Sequence, residues 1–152
     1  MKEEEEKVIF DAYIFKGILG VKPYIKVYSK FLERKNHKLI MSTEIFEKYQ
    51  KAIKRNSYSP IIARGIIGAE IEKLKFMQKL RWADRKINEM KENDIKVRVE
   101  DEDDMPFVKA AFALGAKYII TQDEKHFFSK KQEFKQHGIE VISPEEYIKD
   151  FE

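Results

Sequence analysis

Short apolar runs that stop abruptly, separated by stretches of helical periodicity, constrain this chain more than any other feature. The run Val8 to Phe10 ends at Asp11, and Lys38 to Met41 ends at Ser42 and Thr43. Both predict short buried strands. Ile95 to Val99 alternates with the period of a strand, Lys117 to Thr121 follows a Gly-Ala turn, and Ile139 to Ile142 follows Gly138. These make five predicted strands. Between them, Tyr24, Val27, Tyr28, Phe31 and Leu32 recur at helical spacing, as do Phe107, Ala110, Ala111 and Leu114 ahead of Gly115. Ser42 or Thr43 is placed to cap a helix carrying Glu44 to Ile53, and Ser143 with Pro144 opens a short final helix. Pro106 suits a first helical turn, which puts Asp104 at or just ahead of that helix's N-terminus. Strands joined through helices need crossover connections. The predicted fold is therefore an α/β domain, a three-layer α/β/α sandwich around a mostly parallel sheet of about five strands.

At 152 residues the chain reads as one domain, long enough to bury ~70% of the surface its unfolded form exposes. Residues 1–7 form a polar lead, and residues 50–93 hold no predicted strand. That stretch reads as a basic helical elaboration of two or three helices, broken near Ser57 to Pro60 and near Gly65 to Gly68. An acidic opening is unlike a signal peptide, and no apolar run is long enough for a bilayer, which points to the cytoplasm. The absence of cysteine excludes disulfides, thiolate zinc sites and a cysteine nucleophile. A charged fraction of 38%, rich in Lys and Glu, is a compositional mark of a thermophile.

The acids fall where strands end. Asp11 closes the first strand and Glu47 lies about one turn into the helix after the second. Asp104 follows the third through the acidic loop Glu100 to Asp104, and Asp123 lies two residues past Thr121 on the fourth. In an open parallel sheet ligands bind at the carboxyl ends of the strands. Four carboxylates meeting there would repel one another unless a cation lay between them. Oxygen donors, with no cysteine and no clustered histidine, favour Mg²⁺ or Mn²⁺ over Zn²⁺. Such an ion supports phosphodiester hydrolysis.

Four segments carry a family resemblance: Val8 to Asp11, Ser42 to Tyr49, Asp101 through Thr121 to Asp123, and Gly138 to Pro144. In order and spacing the chain resembles PIN-domain proteins over nearly its whole length, most specifically over residues 101–123. The resemblance implies a metal-dependent ribonuclease, a class that includes the toxins of toxin-antitoxin pairs. It implies that Asp11, Glu47, Asp104 and Asp123 form an acidic metal site, with Thr121 orienting a site residue or water. It also implies an RNA substrate, a small antitoxin as partner, and a homodimer. The chain departs from the common family pattern at Ala12, Tyr13, Met105 and Gln122.

The net charge of +3 hides a polarised chain: residues 48–91 carry +8 and the remainder −5. Lys48, Lys51, Lys54, Arg55, Arg64, Arg81 and Arg85 in that segment are candidates for an RNA backbone. Tyr58 and Trp82 could stack on bases, although helix packing is their commoner use. His37, His126 and His137 are scattered and suggest no role. The alternative is a PIN-fold RNA- or protein-binding module with little or no cleavage. A phosphotransfer domain is disfavoured because Tyr13 stands where a haloacid-type phosphatase needs its second Asp.

Overall fold

A computed structural model describes residues 4–54, 59–122 and 125–149. Five strands form one sheet: β1 (Glu6–Phe10), β2 (His37–Met41), β3 (Leu80–Trp82), β4 (Tyr118–Ile120) and β5 (Glu140–Ile142). Their order is β3-β2-β1-β4-β5, and every pair is parallel. The helices are α1 (Tyr24–Glu33), α2 (Thr43–Lys54), α3 (Pro60–Phe76), α4 (Asp84–Glu89), α5 (Met105–Leu114), α6 (Lys131–Gln136) and α7 (Pro144–Lys149).

The central strands are apolar on both faces because both faces are covered. Val8, Ile9 and Phe10 on β1, and Leu39, Ile40 and Met41 on β2, are buried without alternation. On one side α1 packs with α7: the Arg34 guanidinium lies 4.5 Å over the Tyr147 ring and donates to the Tyr147 carbonyl at 2.7 Å. On the other, α5 runs against β1 and β2, and its Phe112 stacks on Phe134 of α6 at 6.2 Å.

The predicted strand at Ile95 to Val99 does not form. Val97 and Val99 are buried and their neighbours exposed, so the alternation is present, yet the segment pairs with no strand. The place beside β2 is taken by β3, three residues inside the stretch predicted to hold no strand. Three residues are too few to show a period. The expected break at Gly65 to Gly68 is absent too: α3 runs through both glycines, since an interior glycine costs a helix only about 1 kcal/mol relative to alanine. Its start matches expectation, with the Ser59 hydroxyl accepting from the Ile62 N–H at 3.2 Å and Pro60 in the first turn.

Lys79 counts toward the basic segment by sequence but lies inside the protein, 3% exposed. Its ammonium donates to the carbonyls of Arg34 at 2.8 Å and His37 at 2.9 Å, and sits 4.3 Å over the Phe31 ring. Burial, with some help from nearby Lys38, pulls its pKa down from 10.5 to about 8. Between those values the unfolded chain holds the proton and the folded chain does not, so stability rises with pH across the window. Below pH 8 the cost of burying the cation is fully present. Relative to Lys79→Met, the wild-type unfolding free energy is expected to climb by about 2–3 kcal/mol from pH 7 to pH 10. Denaturant titrations across that range check it, and a pH-independent difference between the two proteins would refute it.

Candidate active site at the sheet's switch point

From β1 the chain winds outward through β2 to β3, then crosses back to begin β4 on the other side of β1. The carboxyl ends of β1 and β4 therefore flank the topological switch point, where an open α/β sheet leaves a crevice. The register that sets Phe10 beside Ile120 carries on one residue, with the Asp11 N–H bonded to the Ile120 carbonyl at 3.1 Å. Asp11 and Thr121 consequently leave the sheet as neighbours.

Both are buried, Asp11 at 7% exposed and Thr121 at 0%. A buried carboxylate is tolerable only when hydrogen-bonded. Asp11 accepts from the Thr121 hydroxyl on Oδ2, and from the N–H groups of Tyr13 at 2.9 Å and Ile14 at 3.4 Å on Oδ1. Thr121, expected from the family resemblance to orient a site residue or water, is thus in direct contact with Asp11. Two tyrosines lie within its field. Tyr49 of α2 donates to the Phe10 carbonyl at 2.7 Å, and its pKa is pushed up by burial and then by Asp11. Tyr24, in the first turn of α1, donates to Gln122 Oε1 at 2.7 Å and is raised by the same two causes.

Asp104 sits at the junction of a 3-10 turn (Glu102–Asp104) and α5, with Pro106 in the first turn as expected. Since Ile95 to Val99 is not a strand, Asp104 is delivered by the start of α5 and not by a strand end. Its Oδ2 lies 3.2 Å from Nδ1 of His126, in the turn after β4. One ligand atom each from Asp101, Asp104 and His126 lies within 4.8 Å of the others. Sequence reasoning missed His126 because a lone histidine has no periodic or motif signal. Gln122 and Tyr24 were missed for the same reason.

The remaining predicted residues are less closely gathered. Glu47 is exposed on α2 and makes no hydrogen bond or ion pair among the described residues. Asp123, Arg55 and Tyr58 lie outside the described residues. Lys48 reaches Asp103 at 2.7 Å, tying α2 to the acidic loop. Arg81 pairs with Glu5 at 2.5 Å, ahead of β1, while Arg85 pairs with Glu89 at 3.6 Å along α4. Lys51, Lys54 and Arg64 are exposed. Trp82, expected to pack inside, is 43% exposed on edge strand β3 with the Lys75 ammonium 5.8 Å over its ring.

The family model of the PIN domain matches residues 7–125, more than half of the chain, a span that includes Asp11, Asp104 and Thr121. The chain belongs to the PIN-domain family. Among solved structures, it is similar to a chain in the crystal structure of VapBC2 from Rickettsia felis bound to a DNA fragment from their promoter. The TM-score is 0.51 at 14% identity, covering 90% of this chain and 98% of that one, which is a likeness of fold. No curated protein matches. In this PIN domain, no helix among the described residues is long and apolar enough to cross a membrane.

Proposed function

We propose that this PIN domain is an endoribonuclease that uses Mg²⁺ or Mn²⁺ to hydrolyse RNA phosphodiester bonds. The observation that carries the reading is the joining of acids through the loop after β4. Its Thr121 holds the buried Asp11, and its His126 lies against Asp104. Asp11 and Asp104 are the principal metal ligands in this proposal, with Asp123 and Glu47 completing the set. The donor chemistry suits a hard divalent ion: carboxylate oxygens predominate, and neutral N–H and O–H groups orient Asp11 without neutralising it. A bound ion supplies charge for the phosphoryl oxygen and an activated water. Thr121 keeps one Asp11 oxygen in register, and the backbone amides after β1 keep the other.

Exposed Lys51, Lys54 and Arg64, with Lys48, Arg55, Arg81 and Arg85, would hold the RNA backbone, and exposed Trp82 offers a ring to an unpaired base. The likeness to a VapBC2 chain supports a toxin that is held by a small antitoxin. Homodimer formation in the cytoplasm belongs to the same reading. A binding module with little cleavage is the second reading, favoured by Met105, which is buried for packing where the family pattern commonly has a polar residue.

Chelation separates the two. Labelled single-stranded RNA is expected to be cut with Mn²⁺ present, left intact after the metal is stripped with EDTA, and cut again when Mn²⁺ is restored. RNA that is bound but never cut under any of these conditions would decide for the binding module.

A further inference from the structure

Asp104 heads α5, where an aspartate ordinarily turns its carboxylate back to cap the first N–H groups of the helix. It makes no such cap bond here. The carboxylate is turned toward the loop after β4 instead, where His126 Nδ1 lies 3.2 Å from Oδ2. Both side chains are about one-fifth exposed, so the pair is half-sheltered but reachable.

That separation is at the long end of the range of an N–H···O hydrogen bond, about 2.7–3.2 Å, so the two groups form a histidine–carboxylate pair in the absence of an ion. The same spacing also suits two adjacent ligands of one octahedral ion. Ligands bound at about 2.1 Å on adjacent positions lie roughly 3 Å apart. Asp101 adds a third ligand atom to the group, all within 4.8 Å. We propose that His126 is itself a ligand of the divalent ion, adjacent to Asp104 and with Asp101 as a further donor, so that this site carries a nitrogen among its carboxylates. The proposal takes the presence of an ion from the nuclease reading and adds the donor that the sequence left unassigned.

The consequence is selectivity. Mg²⁺ prefers oxygen and dehydrates reluctantly, whereas an imidazole suits first-row transition ions. The site should accordingly prefer Mn²⁺ to Mg²⁺, and the preference should depend on His126.

Pulsed electron paramagnetic resonance on the Mn²⁺-loaded full chain reads the bond directly. The expected result is a directly bound ¹⁴N coupling in the wild type that disappears in His126→Gln, with Mn²⁺ affinity falling about tenfold or more and Mg²⁺ affinity falling less. His126→Asp should recover most of the Mn²⁺ affinity without the nitrogen signal, which also shows that loss in the Gln variant is not misfolding. The other two histidines lie elsewhere. His37 is buried against Tyr147, with Nδ1 2.9 Å from its hydroxyl, and His137 follows α6. Bound Mn²⁺ with no nitrogen coupling, or a coupling that survives in His126→Gln, overturns this proposal and leaves the nuclease reading standing. Failure of the wild type to bind Mn²⁺ at all overturns both.

Discussion

Replacing Asp104 with Asn is expected to lower Mn²⁺-dependent RNA cleavage by about 10³-fold or more. The two side chains have the same shape, so the start of α5 and the packing of Met105 and Phe107 behind it remain in place. What disappears is one negative charge beside His126 and, with it, a principal ligand of the proposed site. Metal-ion catalysis contributes several kcal/mol of transition-state stabilisation, and each 1.36 kcal/mol is a factor of ten. Asp11→Asn should have an effect of the same order. There the amide oxygen can still accept from the Tyr13 and Ile14 N–H groups while the new N–H₂ faces the Thr121 hydroxyl oxygen, and the negative charge is lost. Initial rates at saturating Mn²⁺, alongside RNA-binding affinity measured by fluorescence anisotropy, provide the check. Near-wild-type affinity with lost cleavage is the expected pattern, and an undiminished rate in both variants would sink the assignment of the site.

The second large effect is on stability. Phe10→Ala is expected to cost about 3–5 kcal/mol. At roughly 2–4 °C per kcal/mol for a chain of this size, the melting temperature should fall by about 6–20 °C. Phe10 is 0% exposed on the middle strand, edge-on to Phe31 at 5.2 Å and to Tyr147 at 6.5 Å, so its ring joins β1 to helices at both ends of the sequence. Its carbonyl also receives the Tyr49 hydroxyl, and its successor is Asp11. A cavity there would loosen the core and the seat of the site together. Phe76→Ala is the fitting control: at 89% exposed it should alter stability by no more than about 0.5 kcal/mol. Calorimetry on the two variants decides, and a Phe10→Ala loss no larger than that of Phe76→Ala would contradict the packing described.

Legibility followed the physics of each element. β1, β2 and β4 were readable because strands buried on both faces appear as apolar runs, and β5 from the turn at Gly138 followed by apolar Ile139, Val141 and Ile142. The third was misplaced because Ile95 to Val99 has the alternation of a strand without a partner, and Leu80 to Trp82 has a partner without a pattern. The basic segment was readable only as a sum. Arg81 and Arg85 have acidic partners and Lys79 is buried, and charge counted along a chain carries no information about direction in space.

The amino-acid sequence by itself determined the parallel α/β class, the placing of Asp11 and Thr121 at strand ends and of Asp104 at a helix start, and the acid-and-hydroxyl order that marks the PIN-domain family. These are local properties: periodicity, proline and cap chemistry, and the spacing of motifs. Which of those groups touch was decided only by the tertiary structure. The strand order puts β4 against β1 and so joins Asp11 to Thr121 across 110 residues, while the turn after β4 brings His126 against Asp104. Contacts of that kind depend on register and on the path of a loop, and neither leaves a periodic trace in the residues that make them.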